Sequence, residues 1–163
     1  MRLFPPERII CLTEETVELW AGGDAYLVPT AMVFVDKAPP NGWPDDAVSY
    51  FGGRHDGYVE ALRGIASSEL RQRVIVGSDS GISNPTAATA REVTLLHRLG
   101  FPVVDAVAAA TGRAARALRL DDEIGAIEPG RVADLCIVEG SLLEDIRLLE
   151  DPRNLRAVLQ RGR

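Results

Sequence analysis

Histidine is almost absent from this chain, with only His55 and His97 in 163 residues. A catalytic zinc takes about three protein ligands and keeps one open position, so two scattered histidines exclude a self-contained histidine-rich metal site. Cysteine is equally scarce. Cys11 and Cys136 lie far apart among apolar neighbours, which reads as two buried, reduced thiols and not as a disulfide framework or a metal pair. No apolar run approaches the ~20 residues that span a bilayer. Met1-Arg2-Leu3-Phe4-Pro5-Pro6-Glu7 lacks the apolar centre of a signal peptide. The 18 basic and 24 acidic residues give a net charge of −6. With no long run of one sign, neither nucleic acid nor an anionic membrane is the expected partner, and a small-molecule ligand is easier to accommodate. The expectation is a cytoplasmic protein.

What is present is 46% hydrophobic residues, enough for a globular core in one domain or in part of a larger one. Thr13 followed by Glu14-Glu15 reads as a capped helix start, with Leu12 and Val17 as a hydrophobic staple and Gly22-Gly23 as the stop. Tyr26-Leu27-Val28 is a short strand closed by Pro29 and Thr30. Lys37 to Gly53, rich in proline and glycine, is a long loop of the kind often found as a lid or insertion near a site. Trp43, Tyr50 and Phe51 in it serve either as anchors or as a pocket lining. Asp56 is a candidate cap for a helix through Gln72, with Val59, Leu62, Ala66 and Leu70 on one face.

Val74-Ile75-Val76 then reads as a strand buried on both faces, breaking abruptly into Gly77-Ser78-Asp79-Ser80-Gly81. Asn84-Pro85 opens a helix that ends at Gly100, and Ala106–Thr111 and Ala114–Leu118 are two small-residue helices interrupted at Gly112, shaped for close packing on a larger body. The alternation of helix and strand predicts an α/β fold with right-handed crossovers and parallel strands. Beyond it, Ile124–Ile127 and Ala133–Val138 flank the turn Pro129-Gly130, which predicts a β-hairpin with Gly130 at positive φ and Ile127, Leu135 and Ile137 in a small core.

Gly77-Ser78-Asp79-Ser80-Gly81, Ala108-Ala109-Ala110-Thr111 and above all Ile124-Gly125-Ala126-Ile127-Glu128-Pro129-Gly130-Arg131-Val132-Ala133-Asp134-Leu135 resemble the C-terminal part of the metal-dependent amidohydrolase superfamily. The nearest branch is the one of imidazolonepropionase-like enzymes and Xaa-Pro dipeptidases. Leu12–Leu19 and Tyr26–Thr30 resemble that branch's helix after barrel strand six and its strand seven.

The resemblance implies a TIM-like (β/α) barrel carrying a small β-sandwich. In this chain it implies the last strand-helix units over residues 1–119 and part of the sandwich over 120–163. It also implies hydrolysis of a carbon–nitrogen bond, in a non-peptide amide, a cyclic amide or a dipeptide, by metal-activated water. The family's ligands are a His-x-His pair on the first strand, lysine or glutamate on the fourth, histidines on the fifth and sixth, and an aspartate on the eighth. Only the last has a counterpart here, Asp79, which the resemblance makes both a metal ligand and the catalytic carboxylate that shuttles a proton from water to the departing amine. The metal would be zinc or a similar divalent ion. One carboxylate cannot hold it, so the chain by itself is expected to bind none and to be inactive alone.

Three other readings compete. Asp79 could merely close the strand as an Asx turn. Gly77–Gly81 could be a nucleophile elbow with aspartate in place of serine, but that chemistry needs a later histidine and none follows His97. The chain could also be a non-catalytic remnant or a split subunit that associates with a partner chain or with copies of itself. His97, in the last turn of a helix, and His55, in the loop before one, read as solvated residues.

Overall fold

The computed structural model describes residues 13–35, 55–78 and 88–163. Cys11, Leu12, the Lys37–Gly53 loop, Asp79 and the Asn84-Pro85 helix start therefore lie outside the described residues.

The helical part is built as the local signals direct. Helix α1, Glu14–Ala21, starts where the Thr13 hydroxyl accepts the Thr16 amide and stops at Gly22. Its last carbonyls are taken by Arg73, whose guanidinium donates to Trp20 O at 2.9 Å and lies 5.0 Å from the Trp20 ring centroid. That contact ties α1 to the start of the strand at Val74. A five-residue helix α2, Ala31–Val35, follows Thr30 and was not foreseen from the sequence.

Helix α3 runs His55–Ala66 and does not continue to Gln72 as the apolar spacing suggested. Ser67 and Ser68 end it, their hydroxyls donating back to Arg63 O and Ile65 O. Ser68 Oγ also accepts the Leu70 amide to open a separate 3₁₀ turn, Glu69–Arg73. Asp56 lies inside the first turn of α3, so it is not the residue before the helix. Helix α4, Ala88–Arg98, ends through Gly100 at φ +106, with Phe101 N bonded to Leu96 O at 3.1 Å. Helices α5, Val103–Ala110, and α6, Gly112–Leu118, are two separate helices as expected, but the break falls at Thr111 and Gly112 opens α6 instead of interrupting the pair.

The two short strands read in the first half do pair, and in parallel. Leu27 bridges Val74, with Leu27 N donating to Arg73 O and Ile75 N to Leu27 O, both at 2.9 Å. Their pairing is limited to that bridge among the described residues, because Pro29 and the left-handed Thr30 take the first strand away. Val74 is fully buried, but Ile75, Val76, Gly77 and Ser78 are only half-buried, which corrects the expectation of a strand covered on both faces. On its other side Val76 N bonds to Ala109 O at the end of α5 and not to a further strand.

One apolar core gathers Trp20, Met32, Leu62, Val74, Leu96 and Phe101 between these elements. It also takes in Ile146 from the C-terminal region, whose 3₁₀ turn Ile146–Glu150 packs onto α4 and places Glu150 against the Thr94 hydroxyl.

The β-layer differs from the predicted hairpin. Strand β1, Leu135–Val138, pairs antiparallel with β2, Leu155–Leu159, and not with Ile124–Ile127. The Pro129-Gly130 turn does form, with Gly130 at φ +90 and Arg131 N bonded to Glu128 O. The arm before it is not a strand, and Ile127 is 88% exposed, so it contributes to no core; Ile137 too is largely exposed. Cys136 pairs across the ribbon with Val158 and both are exposed, which overturns the expectation of a buried thiol. A two-stranded ribbon has too little depth to bury both of its faces.

Candidate functional site at the strand ends

The parallel bridge fixes the direction of both strands, so Thr30 and Ser78 leave the sheet at the same carboxyl end. A Cβ on Gly77 would stand 2.4 Å from Val28 Cγ1 and 3.8 Å from Thr30 Oγ1, so the two exits touch and only glycine fits between them. Asp79 follows Ser78 directly in the chain, outside the described residues. At this end of parallel strands, side chains can converge on a ligand without being consumed by the sheet.

Thr30 itself is held in an unusual state. Its φ of +48 is in the left-handed region, which a β-branched residue enters at a cost of about 1–3 kcal/mol. The cost is offset on both flanks. The fully buried Glu92 of α4 accepts Ala31 N at 2.6 Å and Met32 N at 2.9 Å, capping α2 with both carboxylate oxygens. The buried Tyr58 of α3 donates its hydroxyl to Pro29 O. Burial, with the nearby Glu92 carboxylate adding to it, pushes the Tyr58 phenol far above its ordinary value, so it stays a protonated donor.

Sequence reasoning placed Thr30 at this end but missed Glu92 and Tyr58. The signal for Glu92 was available: it interrupts the apolar stripe of Ala88, Leu95, Leu96 and Leu99, and a carboxylate at such a position requires buried donors.

The opposite, amino end of the Val74 strand carries a second polar cluster. Arg113, 5% exposed, donates to Asp105 Oδ1 at 2.7 Å, Gln72 Oε1 at 2.8 Å, Arg71 O at 3.0 Å and Val74 O at 3.3 Å. Asp105 also accepts from Arg71 Nε at 3.1 Å and Gln72 Nε2 at 2.8 Å. Burial would raise the Asp105 pKa, but the bonds from Arg113, Arg71 and Gln72 outweigh it and hold the carboxyl below its ordinary value.

His97 is exposed at the end of α4, one ring nitrogen bonded to Phe101 O at 2.9 Å, and His55 opens α3. Among the described residues no group of three or more His, Cys, Asp and Glu side chains converges, so these residues do not supply a ligand set for a metal ion. No helix among them is long and apolar enough to cross a membrane.

The model of the amidohydrolase family, whose members are generally metal-dependent, matches residues 53–163. The crystal structure of a Xaa-Pro dipeptidase with bound methionine superposes with a TM-score of 0.79 at 27% identity, covering 94% of this chain and 37% of that one. A putative prolidase from Bifidobacterium longum gives 0.73 at 26% identity, over 93% and 39%. The A. niger ochratoxinase, at 23% identity, TM-score 0.76 and coverage of 95% and 35%, shares the fold. No curated protein matches the sequence. The chain thus spans a little over a third of the length of the structures it resembles. A family match over residues 53–163, most of the sequence, makes this chain a member of the amidohydrolase family.

Proposed function

We propose that this chain supplies the last strand-helix units of an amidohydrolase barrel (residues 1–119) and part of its β-sandwich (120–163), and that Asp79 is the strand-end carboxylate of a carbon–nitrogen hydrolase of the Xaa-Pro dipeptidase type. The observation that carries this reading is the parallel Leu27–Val74 bridge, which brings Thr30 and Ser78 out at one end, directly before Asp79. Asp79 would take the proton released by the attacking water and hand it to the departing nitrogen, so that neither a strong base nor a free amide anion forms. The other groups of such a site, a metal's remaining ligands included, would come from strands outside this chain, in a cytoplasmic enzyme assembled with a partner chain that carries them. The share of the dipeptidase that the chain covers, 37%, supports that division.

The test is hydrolysis of Met-Pro by the purified chain, alone and mixed with a polypeptide carrying the remaining barrel strands. Turnover is expected only in the mixture, and Asp79→Asn should lower kcat by about 10²–10⁴-fold with KM little changed. Turnover by the chain alone, or a mixture indifferent to Asp79→Asn, would overturn the reading.

A further inference from the structure

The left-handed Thr30 has no evident structural purpose that glycine would not serve better, and a strained β-branched residue at a strand end asks for another explanation. Its hydroxyl has no hydrogen-bond partner among the described residues and lies on the Gly77 side of the strand exits, half-exposed. Its two backbone neighbours are fixed by buried side chains from two different helices: Pro29 O by Tyr58 of α3, and Ala31 N and Met32 N by Glu92 of α4. A clamp from both flanks leaves the Thr30 hydroxyl pre-positioned, so a ligand would meet it without first ordering it.

We infer that Thr30 is a substrate-contacting residue, its hydroxyl donating a hydrogen bond to an oxygen of the substrate, and that Glu92 and Tyr58 are the positioning residues that hold it there. The inference rests on the hydrolase reading above for the nature of the substrate, but not on the role of Asp79.

Its test sets stability against binding. Thr30→Gly relieves the backbone while deleting the hydroxyl, and Thr30→Ser keeps the hydroxyl. Each is measured in the chain mixed with the polypeptide carrying the remaining strands, by Tm and by calorimetric Kd for Met-Pro in an Asp79→Asn background that blocks turnover. Thr30→Gly should leave Tm unchanged or raise it by up to about 5 °C. It should weaken Met-Pro binding about three- to tenfold, the loss of one hydrogen bond, while Thr30→Ser binds within about twofold of threonine. Equal binding by the glycine variant, a serine variant as weak as glycine, or a Tm lowered by more than about 5 °C in Thr30→Gly would each overturn the inference. If Asp79→Asn hydrolyses Met-Pro at the wild-type rate, the assignment of Asp79 fails while Thr30 is judged by the same affinities, read then as KM. If Met-Pro is bound by no form of the protein, both fall.

Discussion

The two ends of the short parallel pair are built from the same materials and used differently. At the amino end, Arg113 and Asp105 are nearly buried, and their bonds run to one another, to Arg71 and Gln72 and to the backbone. At the carboxyl end, Glu92 and Tyr58 are just as buried, and among their partners is the backbone on either side of Thr30, whose own hydroxyl has no partner among the described residues. The first cluster closes on itself and fixes how α5 and α6 seat under the strand. The second holds something else in place. In barrel folds that asymmetry separates a face that stabilises from a face that reacts.

The sharpest way to break the comparison is Arg113→Met. Removing the cation leaves the Asp105 carboxylate buried with less compensation, and breaking such a pair costs about 3–5 kcal/mol. Urea unfolding followed by circular dichroism should show the loss, whereas the protein that remains folded, mixed with the polypeptide carrying the remaining strands, should bind Met-Pro with unaltered affinity. A folded Arg113→Met protein with weakened binding would mean that the amino end is not merely structural.

Tyr58→Phe probes the other end with a smaller effect. It strips Pro29 O of its buried donor at a cost of about 1–3 kcal/mol. Because Pro29 is one flank of Thr30, affinity for Met-Pro should fall together with stability. A stability loss with binding intact would make Tyr58 a core residue and nothing more.

The contrast also explains what could be read in advance. The Thr13 cap, the stop at Gly100, the positive φ of Gly130 and the parallel order of the strands are local or topological consequences of a few residues, and each is present. The end of α3 was missed because Ser67 and Ser68 compete for backbone groups that the apolar spacing alone assigns to the helix. The partner of β1 was missed because Leu155, Ala157 and Leu159 are only half-buried, a weak alternation next to the more apolar Ile124–Ile127 arm. Among the candidate-site residues, Thr30 was legible from strand direction. Glu92 and Tyr58 reach its neighbours Ala31 and Pro29 across 61 and 29 residues of sequence, a closeness that only the packing of the helices creates.

The smallest effect is expected in acid, and it sharpens the account of the closed end. Asp105 titrates below its ordinary value of 3.8 in the folded chain, where Arg113, Arg71 and Gln72 bind its charged form. A carboxyl with a depressed folded pKa stabilises the fold fully above its unfolded pKa and loses that contribution as pH falls through the folded value. Tm should therefore be insensitive to this group at neutral pH and begin to fall below about pH 4. Asp145 and Asp151 are also held low, by hydrogen bonds from Arg147 and Arg153, but they keep those partners in an Asp105→Asn variant. The difference between the two Tm curves from pH 6 to pH 2 thus isolates Asp105. The variant starts lower at neutral pH, since an amide cannot replace the charge facing Arg113, and the gap narrows in acid. Parallel curves would mean that the Arg113–Asp105 pair contributes no charge-dependent stability, and that the closed end is held by its neutral hydrogen bonds alone.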